Sequence, residues 1–144
     1  MQTTRITDFL SVAGQISKDD IADLAKSGVA TIVNNRPDNE EPGQLTAADA
    51  EAEAKKHGLD YRYLPITTGT ITRAQVAEFE KLLLRSPKPV LAHCRSGTRC
   101  YLMWAAARAL FDRESPLKLV AQAAIKGYDH RVLPSLVEKL EAER

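Results

Sequence analysis

Short apolar runs alternate with amphipathic stretches along the whole chain. Phe9–Ala13 (FLSVA) reads as a first short strand. Ser17 and Asp20 have capping-box spacing, and Ile21, Leu24 and Ala25 form a helical stripe that stops at Gly28. Val29–Val33 is β-branched and apolar, the composition of a buried parallel strand. It empties into Asn34–Gln44 (NNRPDNEEPGQ), where Pro37, Pro42 and Gly43 forbid regular structure. Thr46 caps an alanine-rich helix that ends near His57 and Gly58. Tyr61–Ile66 is a third strand, placed near a sheet edge by Pro65. Thr67–Thr70 is a turn. Thr72 and Gln75 form another capping box, and Val76, Phe79, Leu82 and Leu83 make the buried face of the next helix. Ser86–Pro89 turns into a strand at Val90, Leu91 and Ala92. Helices follow over Arg99–Phe111, from Ser115 or Pro116 to Lys126, and from Leu133 to the end. The last eight residues, from Val137, read as a solvated helical end.

This alternation implies an α/β fold of three layers: a mainly parallel sheet of four to five strands with helices on both faces. In such sheets ligands bind beyond the carboxyl ends of the strands. The loop at Cys94, the Arg36–Glu41 loop and the Thr67–Thr70 turn all leave strands at that edge and are expected to meet around one pocket. No repeat, low-complexity tract or linker divides the chain, so residues 1–144 read as a single domain.

The densest chemistry lies in PVLAHCRSGTRC, Pro89–Cys100. An apolar strand breaks into a polar loop, and a run of helix formers follows. A strand–loop–helix of this kind aims successive main-chain N–H groups, and the positive end of the helix, at one point. Cys94 lies at the entrance of that anion cradle and Arg99 closes it. A thiol placed there is acidified from about 8.5 into the range ~3.5–7.5. The planar fork of Arg99 suits two oxygens of a tetrahedral anion. A thiolate in an anion cradle is the chemistry of cysteine-dependent phosphatases and of rhodanese-type sulfurtransferases.

Composition narrows the setting. A formal net charge of +1 over 144 residues gives no general pull towards nucleic acid or acidic lipid. No uninterrupted apolar stretch is long enough to span a membrane, and the N-terminus lacks a signal-peptide core. The two cysteines, Cys94 and Cys100, both fall at the proposed site, which points to a reducing, cytoplasmic setting rather than a disulfide framework. Their spacing, with three scattered histidines, argues against zinc, and the chemistry calls for no cofactor.

Gly14–Gln15, NNRPDNEEPGQ and HCRSGTR together resemble the phosphatase-like domain family named for beta-lactamase-hydrolase-like proteins, over about residues 3 to 111. The resemblance implies the fold of dual-specificity tyrosine phosphatases. It implies Cys94 as nucleophile, the Arg95, Ser96, Gly97, Thr98 and Arg99 backbone as cradle, Arg99 as the oxyanion-binding arginine, and Arg36 and Asp38 beside the pocket. Some members are fused to, or encoded beside, persulfide dioxygenases, so the resemblance also implies such a partner. Two departures from a tyrosine phosphatase stand out. Four residues rather than five separate Cys94 from Arg99, the spacing of rhodaneses, and Cys100 stands where the phosphatase arginine would be. The stretch Pro65–Ile71, which corresponds to the general-acid loop, holds no carboxylate. An acid usually contributes ~10²–10⁴-fold, and only Asp38, Glu40 or Glu41 is at hand to replace it. Sulfur transfer to a thiol needs no acid. The expectation is therefore sulfane-sulfur transfer through a Cys94 persulfide. The alternatives are a phosphatase working through phosphocysteine, and a non-catalytic anion-binding or redox sensor. In each case the ligand is a small sulfur- or phosphate-containing anion.

Plainer readings apply to the neighbours. Cys100 reads as a small packed residue on the first helical turn, or as a thiol near enough to resolve an oxidised or persulfidated Cys94, and His93 as a side chain that orients the loop through a ring hydrogen bond. Arg36 reads equally as a ligand to the anion or as a surface partner of Glu40 or Glu41. Asp129–His130 reads as an interhelical turn within reach of a supporting contact, and Tyr101, Trp104 and Phe111 as core.

Overall fold

The computed structural model describes residues 1–143. Five strands form one sheet: β1 (Thr3–Arg5), β2 (Leu10–Ala13), β3 (Thr31–Asn34), β4 (Asp60–Tyr63) and β5 (Val90–His93). Their order is β1-β2-β5-β3-β4. All pairs are parallel except β1 with β2, and β5 is central. The expected three-layer α/β architecture is present, and β4 occupies the edge that Pro65 suggested.

Period-2 alternation in the strands divides the core in two. Val33, Val90, Ala92 and Cys94 point to the face covered by α3 (Arg73–Arg85), α4 (Thr98–Phe111), α5 (Pro116–Ile125) and α6 (Leu133–Ala142). Ala13, Ile32, Tyr61 and Leu91 point to the other face, under α1 (Lys18–Lys26) and α2 (Ala47–Lys56). The helices begin where their caps dictate. Ser17 and Thr72 complete capping boxes with Asp20 and Gln75, and Thr46 accepts from the Asp49 N–H. α4 is buried almost all round, which explains why its sequence shows no polar stripe.

Four expectations need correction. β1 is a strand that its sequence, Thr-Thr-Arg, does not advertise; as a polar edge strand it is held by its ladder to β2 rather than by burial. Phe9 lies outside β2 and is 58% exposed. Phe111, read as core, is also half-exposed, its ring facing the Arg73 guanidinium at 5.7 Å. The C-terminal helix is no solvated end: Val137 and Leu140 are buried against α4, while Arg144 lies outside the described residues.

The last point has a direct test. Leu140→Ala should cost about 2–5 kcal/mol of stability, as buried leucines do. Urea unfolding would read this. A change under about 0.5 kcal/mol would mark a surface position instead.

Candidate active site

The central strand delivers Cys94 to the carboxyl edge of the sheet, and α4 starts three residues later with Gly97 as its N-cap. Gly97 has φ +88°, and a side chain there would press on the Tyr128 hydroxyl at 3.1 Å and on Ala13 at 3.4 Å. This left-handed residue lets the loop double back over the sulfur. The Gly97 N–H donates to Cys94 Sγ at 3.1 Å. Gly14 closes the loop from the side of β2. A Cβ at Gly14 would lie 2.9 Å from the Arg95 carbonyl oxygen, which also accepts from Gln15 N–H at 3.1 Å.

Cys94 is fully buried, yet its thiol is acidified to about 5. The largest cause is a hydrogen bond from the Cys100 side chain. Burial opposes it, and main-chain N–H groups of Cys100, Ser96 and Arg99 add to it. Cys100 is fully buried and its own pKa is raised well above the ordinary thiol value, by burial first and then by its bond to Cys94. It therefore stays protonated and acts as a donor. Cys100 is packed, and it is also a donor to Cys94.

Arg99 does not reach into open space. Its two terminal nitrogens meet both oxygens of Glu40, at 2.8 and 2.7 Å, and Nη1 also donates to the Ile66 carbonyl at 2.9 Å. Glu40 is shared. Arg36 Nε donates to it at 2.9 Å, and Arg36 Nη1 donates to Gln15 Oε1 at 3.1 Å. Arg36 Nη2 has only a charge contact with Glu41, at 3.2 Å, too poorly aligned for a hydrogen bond. Held first by Arg99 and then by Arg36 against some desolvation, the Glu40 carboxyl titrates at about 2. Arg36 pairs with the carboxylates its sequence suggested, but it is buried rather than on the surface.

The structure thus joins the Cys94 loop, the loop after β3 and the segment after β4 through Glu40, Arg99 and Ile66. It sends other candidates elsewhere. Asp38 Oδ1 accepts from the Ala47 N–H at the start of α2, so its carboxylate faces a helix and not the cradle. Arg95 is largely exposed, 3.9 Å from Glu41. Ser96 and Thr98 link their hydroxyls to one another at 3.0 Å on the rim. His93 is buried under the strand end, and neither ring nitrogen has a properly aligned hydrogen-bond partner. Burial lowers its pKa to about 4, against the Cys94 main chain, which raises it, so the ring is neutral near pH 7, and the ring hydrogen bond expected to orient the loop is not formed with good geometry.

Further contacts that shape the site come from outside the Cys94 loop. Gln15 ties Arg36 to the Arg95 carbonyl. Asn34 and Asn35 zip the strand ends together. Asn34 bonds the Tyr61 hydroxyl and the Arg36 N–H, and Asn35 bonds the Leu64 carbonyl and the His93 carbonyl. From the far end of the chain, Tyr128 backs Gly97 and bonds Thr4, while His130 is buried edge-on to Tyr101 with its ring centroid 4.7 Å away. Among the described residues no group of three or more His, Cys, Asp or Glu side chains is placed to hold a metal ion.

A central parallel strand, a left-handed glycine and a buried thiolate at the start of a helix define a cysteine-based enzyme of the tyrosine-phosphatase-like fold. Residues 3–111 match the family described as beta-lactamase hydrolase-like protein, phosphatase-like domain, and the chain belongs to that family. A beta-lactamase hydrolase-like protein of Agrobacterium fabrum is 36% identical over 113 residues, covering 78% of this chain but 26% of the relative. The chain therefore spans about a quarter of that relative's length. Among solved structures, a phosphatase candidate from Neisseria meningitidis Z2491 is 30% identical, with a TM-score of 0.81 over 97% of this chain and 96% of that one. Tk-PTP in its active form superimposes with a TM-score of 0.73 over 99% and 97% of the two chains; at 20% identity this speaks for the fold alone.

Alkylation by iodoacetamide should rise through a midpoint near the Cys94 pKa of about 5 and level off above it. Cys100→Ala removes the leading donor to the thiolate, so the midpoint should move up. An unchanged midpoint in that variant would show that main-chain N–H groups alone hold the charge.

Proposed function

We propose that the protein is a cysteine-dependent phosphatase for small phosphoesters with good leaving groups. The observation that carries this reading is the buried Cys94 thiolate held by N–H groups at the start of α4. The 30% identity to a phosphatase candidate over nearly the whole chain supports it. The Cys94 sulfur attacks phosphorus, the bond to the leaving oxygen breaks, and a phosphocysteine forms. Water then attacks phosphorus, phosphate departs and the thiolate is restored. Main-chain N–H groups of the loop stabilise the equatorial oxygens.

The carboxylates beside the Cys94 loop are not set to give the leaving group a proton, and Glu41 faces Arg36 at 3.2 Å and Arg95 at 3.9 Å. Glu40, with a pKa of about 2, is ionised, and Asp38 is engaged at α2. Departure as a bare anion restricts the reaction to leaving groups that are stable as such. The same observation favours a second reading, sulfane-sulfur transfer. Cys94 attacks the outer sulfur of a donor, the donor thiolate or sulfite leaves, and the resulting persulfide passes its sulfur to an acceptor thiol. No acid is required, and the loop, one residue shorter than that of a tyrosine phosphatase, suits a persulfide sulfur. Either reaction needs Cys94 reduced, which favours a reducing compartment. Among the described residues no helix is long and apolar enough to cross a membrane. A persulfide dioxygenase is the partner proposed for the second reaction alone.

Aryl phosphates should be hydrolysed, with rates that fall steeply as the leaving-group pKa rises, and Cys94→Ser should abolish turnover. Mass spectrometry of the trapped intermediate separates the readings. Added phosphate on Cys94 from an aryl phosphate supports the first. Added sulfur from thiosulfate, with no phosphate adduct, supports the second and overturns the first.

A further inference from the structure

Two guanidiniums share one carboxylate beside the Cys94 loop. Arg36 and Arg99 both bond Glu40, and Arg99 has a further acceptor in the Ile66 carbonyl. With Cys94 as a thiolate, two positive groups face two negative ones. At the rim, Arg95 faces Glu41. Glu40 is presented by a braced loop and not by a free side chain. Its N–H donates to Gln44 Oε1 at 3.1 Å, and Gln44 Nε2 donates to the Pro37 carbonyl at 2.9 Å.

An incoming anion therefore meets main-chain N–H groups but no uncompensated guanidinium. The N–H cradle and helix start favour one negative charge. A second charge on the same anion needs Arg99. It must either displace Glu40 from that fork or lie beside a carboxylate that stays, and both cost affinity. We propose that Glu40 is a specificity-determining residue: by filling the fork of Arg99 and sharing Arg36 it sets the site to take singly charged anions in preference to dianions. This rests on the Cys94–Arg99 loop being an anion site, but not on which reaction follows. The substrate class it selects is a tetrahedral or sulfur-centred monoanion, such as a singly protonated phosphoester or a persulfide.

Sulfate and methanesulfonate are suitable probes, since they offer similar sulfonyl oxygens but carry different charge. Their affinities at neutral pH are read by protection of Cys94 from alkylation. The parent should bind methanesulfonate at least as tightly as sulfate. Glu40→Gln keeps the side-chain shape and removes the charge. It should improve sulfate binding by about tenfold or more, with a much smaller change for methanesulfonate. A parent that binds sulfate more tightly than methanesulfonate, or a Glu40→Gln protein with an unchanged preference, overturns the proposal. Should that variant fail to fold, the parent's own preference still decides. A parent with the expected preference but no turnover of aryl phosphates refutes the phosphatase reading alone.

Discussion

A negative sulfur buried at the end of the central strand is the constraint around which this molecule is built. A charge removed from water has to be met by dipoles, hydrogen bonds or counter-charges. Here the compensation comes from several separate parts of the chain. β5 brings the sulfur to the edge, α4 begins above it with its N–H groups free, and Cys100 supplies a thiol donor from the first helical turn. Burial, which would raise the pKa, is outweighed by these close donors. The left-handed turn at Gly97 is what allows them to converge.

A second layer of charge surrounds the first. Glu40 sits between two arginines, and the buried arginine would itself be costly without that partner. The carboxylate is thus needed for the fold of the loop as well as for the electrostatics of the site. It is ionised through the physiological range, so it cannot serve as a proton donor while it bridges Arg36 and Arg99.

Much of this was legible in the sequence, for identifiable reasons. The capping boxes at Ser17 and Thr72, the β-branched run before Asn34 and the strand–loop–helix at Cys94 are local signals with local causes. β1 escaped notice because three polar residues at a sheet edge carry no periodicity, and only the ladder to β2 defines them. The burial of Val137 and Leu140 was missed because the charged residues between them mask a stripe that faces α4. At the site, sequence spacing located the thiol and the arginine, but not their partners. Asp38, Glu40 and Glu41 look alike in a polar loop, and only the path of that loop decides that Glu40 meets Arg99 while Asp38 turns to α2. The approach of Cys100 to Cys94 likewise depends on how tightly the loop folds back.

The buttress behind the loop has a consequence for where the working unit ends. The family match stops at residue 111, yet Tyr128 stands against Gly97, and His130 packs on Tyr101 in α4. Tyr128 also reaches Thr4 in β1, so the two ends of the chain meet behind the cradle. The family match is therefore shorter than the portion that backs the reactive loop, which includes residues between α5 and α6.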